Sequence, residues 1–198
     1  LDTSVSQETR FTLPGYAFSN YAKNTSVALS PDGQSQKTFS LSGGYSGHTV
    51  WLDPQEAAGS LATVTSDPST QSSSLSFQAL RPGTFPVSFY LDFDEAMTDT
   101  ATVTITGVAV EDAQGTQGKT YLTRTAEDAA PTAQLTAYVA EDRTIASWES
   151  SDDTVATVTE DGLVTAQGVG SALITVTDSE GTTGGMKVVV QDGETPYF

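Results

Sequence analysis

The sequence predicts an all-β protein made of two tandem Greek-key β-sandwiches, and three observations predict it. Thr, Ser, Val and Gly are abundant among the 198 residues, and the branched Cβ of Thr and Val suits a pleated, half-exposed surface. Short runs with apolar residues at every second position alternate with clusters of Gly, Pro, Asp and Ser, which is the punctuation of a sandwich. No segment sustains the i, i+3, i+4, i+7 spacing of an amphipathic helix.

The chain also repeats itself in register. A-T-V-T occurs at 62–65 and at 156–159, and a tryptophan precedes each copy, Trp51 and Trp148. Downstream, the run from Phe77 aligns with the run from Val164, so that Ala79 and Gly83 match Ala166 and Gly170. Repetition on this scale reads as two whole sandwiches in a string. Domain one is placed at 1–115 and domain two at 116–198, joined at the polar, glycine-rich stretch from Glu111 to Gly118.

Taken in order, Tyr16, Phe18 and Tyr21 are expected to close one end of domain one. Tyr45 and His48 lie in a glycine-rich stretch before a strand that carries Trp51. Phe85, Val87, Phe89, Leu91 and Phe93 alternate with Pro86, Ser88, Tyr90 and Asp92, predicting a strand with one core face and one wetter face. Pro86 lacks an N–H and is expected at an edge, a bulge or a strand start. Val103 and Ile105 continue the pattern on the next strand.

Domain two opens with a strand from Lys119, followed by one from Ala133. Its predicted core holds Trp148, Val158, Val164, the shared face of Ala172, Ile174 and Val176, and that of Met186, Val188 and Val190. A domain this small, with no Cys anywhere in the chain, buries only about 60–65% of its unfolded surface and relies wholly on packing. Trp148→Ala is expected to cost about 3–5 kcal/mol.

The net charge of −17, from 25 acidic against 8 basic residues, excludes nucleic acid, whose phosphates such a chain repels. Anionic membrane surfaces are disfavoured in the same way. No apolar run approaches the roughly 20 residues that span a bilayer, so no membrane insertion is expected. The sequence starts at Leu1 without Met, which suggests a mature or trimmed form within a longer domain string.

Catalytic constellations are not visible. The single histidine, His48, has no G-x-S-x-G partner motif, and the acidic residues Asp152, Asp153, Glu160, Asp161, Asp178 and Glu180 fall where solvated turns are predicted. No cofactor is expected. Calcium at acidic turns is the one metal to weigh, at Asp92, Asp94 and Glu95 or at Glu111 and Asp112. Calcium takes six to eight oxygens, however, and no D-x-D-x-D-G loop occurs. An intramolecular Lys–Asn crosslink would have to use Asn20 or Asn24, and nothing in the pattern points to one. The tentative ligand contacts are Tyr45 and Trp51, whose rings would stack on a sugar if exposed.

Residues 148–177 read W-E-S-S-D-D-T-V-A-T-V-T-E-D-G-L-V-T-A-Q-G-V-G-S-A-L-I-T-V-T. This run closely resembles the signature of the bacterial immunoglobulin-like group 2 family, the repeats of invasin- and intimin-type surface proteins. A Trp opens an S-S-D turn, an A-T-V strand follows, then an acidic turn closed by Gly, then G-L-V-T-A, a G-x-G corner and a T-x-T-V strand. The resemblance covers about 119–190 and is weak in the first domain. It implies immunoglobulin-like sandwiches in an extracellular, cell-surface or secreted bacterial protein that is not an enzyme. The implied role is a stalk, spacer or adhesion module with an unidentified protein or glycan ligand. The alternative is a carbohydrate-binding accessory of a secreted polysaccharide-active enzyme.

Overall fold

A computed structural model describes residues 17–18, 24–30, 35–42, 50–53, 58–67, 72–91 and 94–193. These divide into two compact units, one holding the described residues of Leu1–Val27 and Ser35–Ile105, the other those of Ala28–Gln34 and Thr106–Phe198. The strands of the first are β1 (Ala17–Phe18), β2 (Asn24–Ala28), β3 (Gln36–Ser42), β4 (Val50–Asp53), β5 (Ala62–Asp67), β6 (Ser72–Ala79), β7 (Gly83–Leu91) and β8 (Asp94–Thr106). Those of the second are β9 (Ala109–Asp112), β10 (Lys119–Arg124), β11 (Thr132–Tyr138), β12 (Ile145–Ser150), β13 (Ala156–Val158), β14 (Leu163–Ala166), β15 (Gly170–Asp178) and β16 (Thr183–Asp192). The all-β expectation thus describes the chain.

The two units share one topology. The first has sheets ordered β1-β3-β6-β5 and β2-β8-β7-β4; the second has β9-β11-β14-β13 and β10-β16-β15-β12. Strand for strand, the orders are the same. The boundary expected at 115/116 lies inside the second unit, because β9 pairs antiparallel with β11 from Leu135↔Asp112 to Tyr138↔Ala109.

The repeat seen in the sequence is a physical corner. In the first unit Ala62 pairs with Ala79 and Val64 with Phe77; in the second Ala156 pairs with Ala166 and Val158 with Val164. The Leu61 carbonyl accepts the N–H groups of Leu80 (2.8 Å) and Arg81 (3.1 Å), while that of Val155 accepts those of Gln167 (2.8 Å) and Gly168 (3.2 Å). The chain then turns into the other sheet at Gly83 (φ 154°) or Gly170 (φ 153°). A Cβ on either would fall 2.7 Å from the Leu61 side chain or 2.8 Å from that of Val155. Both the φ and the close approach call for glycine.

Phe85, Val87, Val103 and Ile105 are buried in the first unit, and Val164, Ala172, Ile174, Val176, Met186, Val188 and Val190 in the second. Trp148 and Val158 are only partly buried and pack against the second core from its margin. The indole sits opposite Val176 on β15, against Gly162, where a Cβ would lie 3.0 Å from its Cζ2. Pro86 is exposed on β7, paired with Thr102 and beyond Ser88, the last β7 position that β4 pairs with. Its missing N–H thus falls past the end of the neighbouring strand.

Phe89 is described only as strand backbone, and so are Phe18, Asn24, Asp94 and Glu95. Tyr16, Asn20, Tyr21, Tyr45, His48, Asp92 and Phe93 lie outside the described residues.

Candidate functional site

The acidic residues of the second unit build turns. Asp112-Ala-Gln-Gly-Thr and Asp178-Ser-Glu-Gly-Thr are two copies of one hairpin device. In the first, Asp112 N–H donates to the Thr116 carbonyl (3.0 Å) and Gly115 N–H to the Asp112 carbonyl (2.9 Å). In the second, Asp178 and Gly181 make the same two bonds with Thr182 and Asp178, at 2.9 and 3.0 Å. Gly115 and Gly181 have φ of 75° and 80°, the left-handed step that follows a type I turn in a short hairpin loop. Each aspartate Oδ1 then accepts two amides, from Gln114 and Thr116 or from Glu180 and Thr182.

The second oxygen of each carboxylate takes a further donor. Thr120 Oγ1 donates to Asp112 Oδ2 at 2.9 Å. Arg143 Nη1 donates to Asp178 Oδ2 at 2.8 Å and to Thr182 Oγ1 at 2.7 Å. Asp178 was expected in a solvated turn, yet its side chain is wholly buried, facing an Arg143 side chain that is 31% exposed. Burial works against ionisation of Asp178, but the bonds from Arg143, Thr182 and Glu180 outweigh it and hold the carboxyl below its usual range. Asp112 is lowered likewise: burial opposes, and the Thr116 amide, the Thr120 hydroxyl and the Gln114 amide prevail.

Of the junction acids, Glu111 accepts the Tyr138 hydroxyl at 2.7 Å. Among the described residues no group of three or more His, Asp or Glu could hold a metal ion. Within the W-E-S-S-D-D run, Ser150, Ser151 and Asp152 are committed to local hydrogen bonds. Ser150 Oγ donates to the Ala156 carbonyl (2.7 Å) and accepts the Asp152 amide (3.2 Å). Ser151 Oγ accepts the Leu173 amide (2.8 Å). Asp152 Oδ1 takes the Thr154 hydroxyl (2.6 Å) and amide (3.0 Å), which lower its pKa.

An open cleft of about 360 Å³ is lined by Arg124, Thr125, Ala126, Ala129, Asp192 and Gly193. Its guanidinium is already engaged, by the Ala129 carbonyl at 2.8 Å and by Asp192 at 4.0 Å. Of the tentative ligand contacts, Tyr45 lies outside the described residues. Trp51 is placed by backbone alone, opposite Tyr90.

What sequence reasoning missed is the outward face of sheet β10-β16-β15-β12. Lys119 pairs with Lys187 and Tyr121 with Val189 across β10 and β16, and Leu173 pairs with Lys187 across β15 and β16. Tyr121 is 54% exposed and Leu173 45%, while Lys119 lies over the Tyr121 ring at 5.0 Å. The signal was present in the alternation: with Leu122, Val188 and Val190 inward, Lys119, Tyr121, Lys187 and Val189 must point out.

Fold and turns together define an immunoglobulin-like β-sandwich in tandem. Residues 143–180 match the family model of the intimin immunoglobulin-like domain, so the kinship read from the W-E-S-S-D-D run is shown on that segment. The chain is similar in structure to a C-terminal 282-residue intimin fragment in complex with the intimin-binding domain of the translocated intimin receptor. Identity is 16% and TM-score 0.34, over 82% of this chain and 60% of that one. It is also similar to the Yersinia pseudotuberculosis adhesin InvE (13%, TM-score 0.35, 88% of this chain and 58% of that one). A third likeness is to domains 5–6 of the S-layer protein SbsC (17%, TM-score 0.29, 90% and 100%). The chain thus spans less than two thirds of the intimin and InvE chains. No curated protein matches it by sequence. Among the described residues no helix is long and apolar enough to cross a membrane.

Proposed function

We propose that this chain is a non-catalytic, extracellular bacterial module, a force-bearing spacer of an adhesin-type surface protein whose partner is another protein. One observation carries the reading. The first long strand of the second unit, β10, runs parallel to the last, β16, from Lys119↔Lys187 to Arg124↔Asp192. Both ends of the ladder are closed, by Lys187 N–H on the Gly118 carbonyl (3.0 Å) and Gly193 N–H on that of Arg124 (2.7 Å).

Tension along the chain pulls the start of β10 and the end of β16 apart along their own length. Parallel strands loaded that way share the force over every rung at once, whereas an antiparallel terminal pair would unzip rung by rung. Under load β9 is expected to leave β11 first, after which the β10–β16 ladder holds. The match of residues 143–180 to the intimin domain supports the adhesin setting.

Force spectroscopy on the full chain, stretched from its ends, tests this. The second unit should give a distinct high-force unfolding event. Arg124→Pro, which removes a backbone donor from β10, should lower that force while changing equilibrium stability much less. A second unit that yields at low force, or one whose resistance ignores the substitution, would sink the spacer reading.

A further inference from the structure

We propose that the outward face of β10, β16 and β15 is a docking surface for an acidic protein partner. The occupant would place carboxylates on Lys119 and Lys187 and an apolar side chain against Leu173, Tyr121 and Val189. The inference is independent of the spacer reading: a chain that yields under tension could still bind, and the reverse also holds.

The fold does not ask for these residues. Counted from the equivalent glycines, Leu173 stands where the first unit has Pro86, and the Leu173–Lys187 and Ser171–Val189 pairs stand where it has Pro86–Thr102 and Thr84–Thr104. Beside Pro86, that other face carries Thr84, Thr102 and Thr104, with Thr84 Oγ1 bonded to Thr104 Oγ1 at 3.3 Å. Threonine therefore satisfies the positions that Lys187 and Val189 hold. In the second unit those two carry a cation and an apolar group instead, beside Leu173 in the place of Pro86.

The charges make the contrast sharper. The chain has four lysines and a net charge of −17, yet two of those lysines are set directly opposite each other. Like charges so placed repel. Among the described residues neither lysine is in an ion pair. A local cationic patch with exposed apolar area, on a body that is otherwise acidic, is complementary to a partner that brings carboxylates around an apolar contact. Three features favour a protein over an anionic polymer. Lys119 already covers the Tyr121 ring, where a sugar would stack. Leu173 and Val189 are branched aliphatics rather than flat platforms. An extended polyanion would also meet repulsion from the rest of the chain.

The test uses the isotope-labelled full chain and four probes: a 12-residue peptide alternating Asp or Glu with Leu or Phe, its Ser/Thr analogue without charge, polyglutamate, and polygalacturonate. The acidic–apolar peptide should shift the backbone amides of Lys119, Tyr121, Leu173, Lys187 and Val189, and the shifts should weaken as salt rises. Affinity should fall about tenfold or more in the double variant Lys187→Thr with Val189→Thr, which installs the first unit's own residues. Should that variant unfold, Lys119→Gln with Lys187→Gln removes the charge and keeps the stems, and the same loss is required of it. Equal shifts from polyglutamate or polygalacturonate would overturn the proposal in favour of a bare anion surface. Shifts of the same amides on concentrating the protein alone would overturn it in favour of a second copy. No shift with any probe would end it.

Discussion

The two units have the same strand order and the same glycine corner, and they fill that frame differently. In the first, Phe77 and Phe85 are buried from facing sheets and meet edge-to-face, with ring centroids 5.8 Å apart and planes at 87°. The equivalent positions in the second are Val164 and Ala172, also fully buried. The large aromatic of the second unit is Trp148, at the core margin against Gly162. Topology is thus held by backbone devices: Ala–Ala pairs, a carbonyl taking two amides, a glycine at positive φ. The core tolerates different jigsaws around them.

The largest effect should come from exchanging those jigsaws. Phe85→Ala is expected to destabilise the first unit by about 3–5 kcal/mol, from lost burial and the cavity left behind. The reciprocal change, Ala172→Phe, should cost the second unit about 1–3 kcal/mol by overpacking, although a phenylalanine occupies the equivalent place next door. Denaturant titrations followed by the tryptophan in each unit would separate the two. Neutral outcomes for both would mean that the two cores are interchangeable.

Gly162→Ala comes next, at about 2–4 kcal/mol in the second unit. Its φ is 81°, and a Cβ would lie 2.6 Å from the Leu135 carbonyl oxygen, a backbone atom with little freedom to retreat. The loss should appear in the transition of the second unit and leave that of the first unmoved. Trp148→Ala follows. Full burial would have implied about 3–5 kcal/mol; a half-buried ring at the core margin implies about 2–3 kcal/mol. A loss below 1 kcal/mol would show that Gly162 alone organises that end of the unit.

Most of the fold was legible because period-two alternation and turn residues act locally. Phe85, Val87, Ile174 and Val176 could be assigned inward from their neighbours alone. The corner was legible as a repeat, since Ala79, Gly83, Ala166 and Gly170 each meet a steric demand that few other residues satisfy. Register was harder to read. Trp51 and Trp148 align by eye, but Trp51 pairs with Tyr90 and Trp148 with Val176. Counted from Gly83 and Gly170, these positions are one step apart. A single step moves a residue to the other side of a strand, and no sequence spacing reveals it. The Asp178–Arg143 pair was illegible for a related reason: its partners lie on different loops, and an Asp-x-x-Gly turn looks the same whether its carboxylate is wet or buried. The outward lysine face was legible in part: alternation points Lys119 and Lys187 outward, but only the parallel β10–β16 register sets them opposite each other.

The smallest effect is also the most specific, and it belongs to the second unit, where Asp112, Asp152 and Asp178 are all held below the usual aspartate pKa. A carboxyl depressed in the folded state stabilises it above the unfolded pKa, about 3.9, and that contribution disappears as pH falls through the folded value. The second unit should therefore hold level stability from neutrality to about pH 5 and lose it below about pH 4. Asp178→Asn keeps the size and an acceptor oxygen for the amides of Glu180 and Thr182, but removes the charge facing Arg143. The variant should be less stable at pH 7, and the difference from the parent should begin to narrow as pH drops below about 4, where the unfolded parent takes up the proton, and should close only as pH falls through the lower folded value. Thermal melts at pH 7, 5 and 3.5 would show it. A gap that stayed constant across that range would assign Asp178 to turn geometry alone and leave Arg143 without an electrostatic part in holding the unit together.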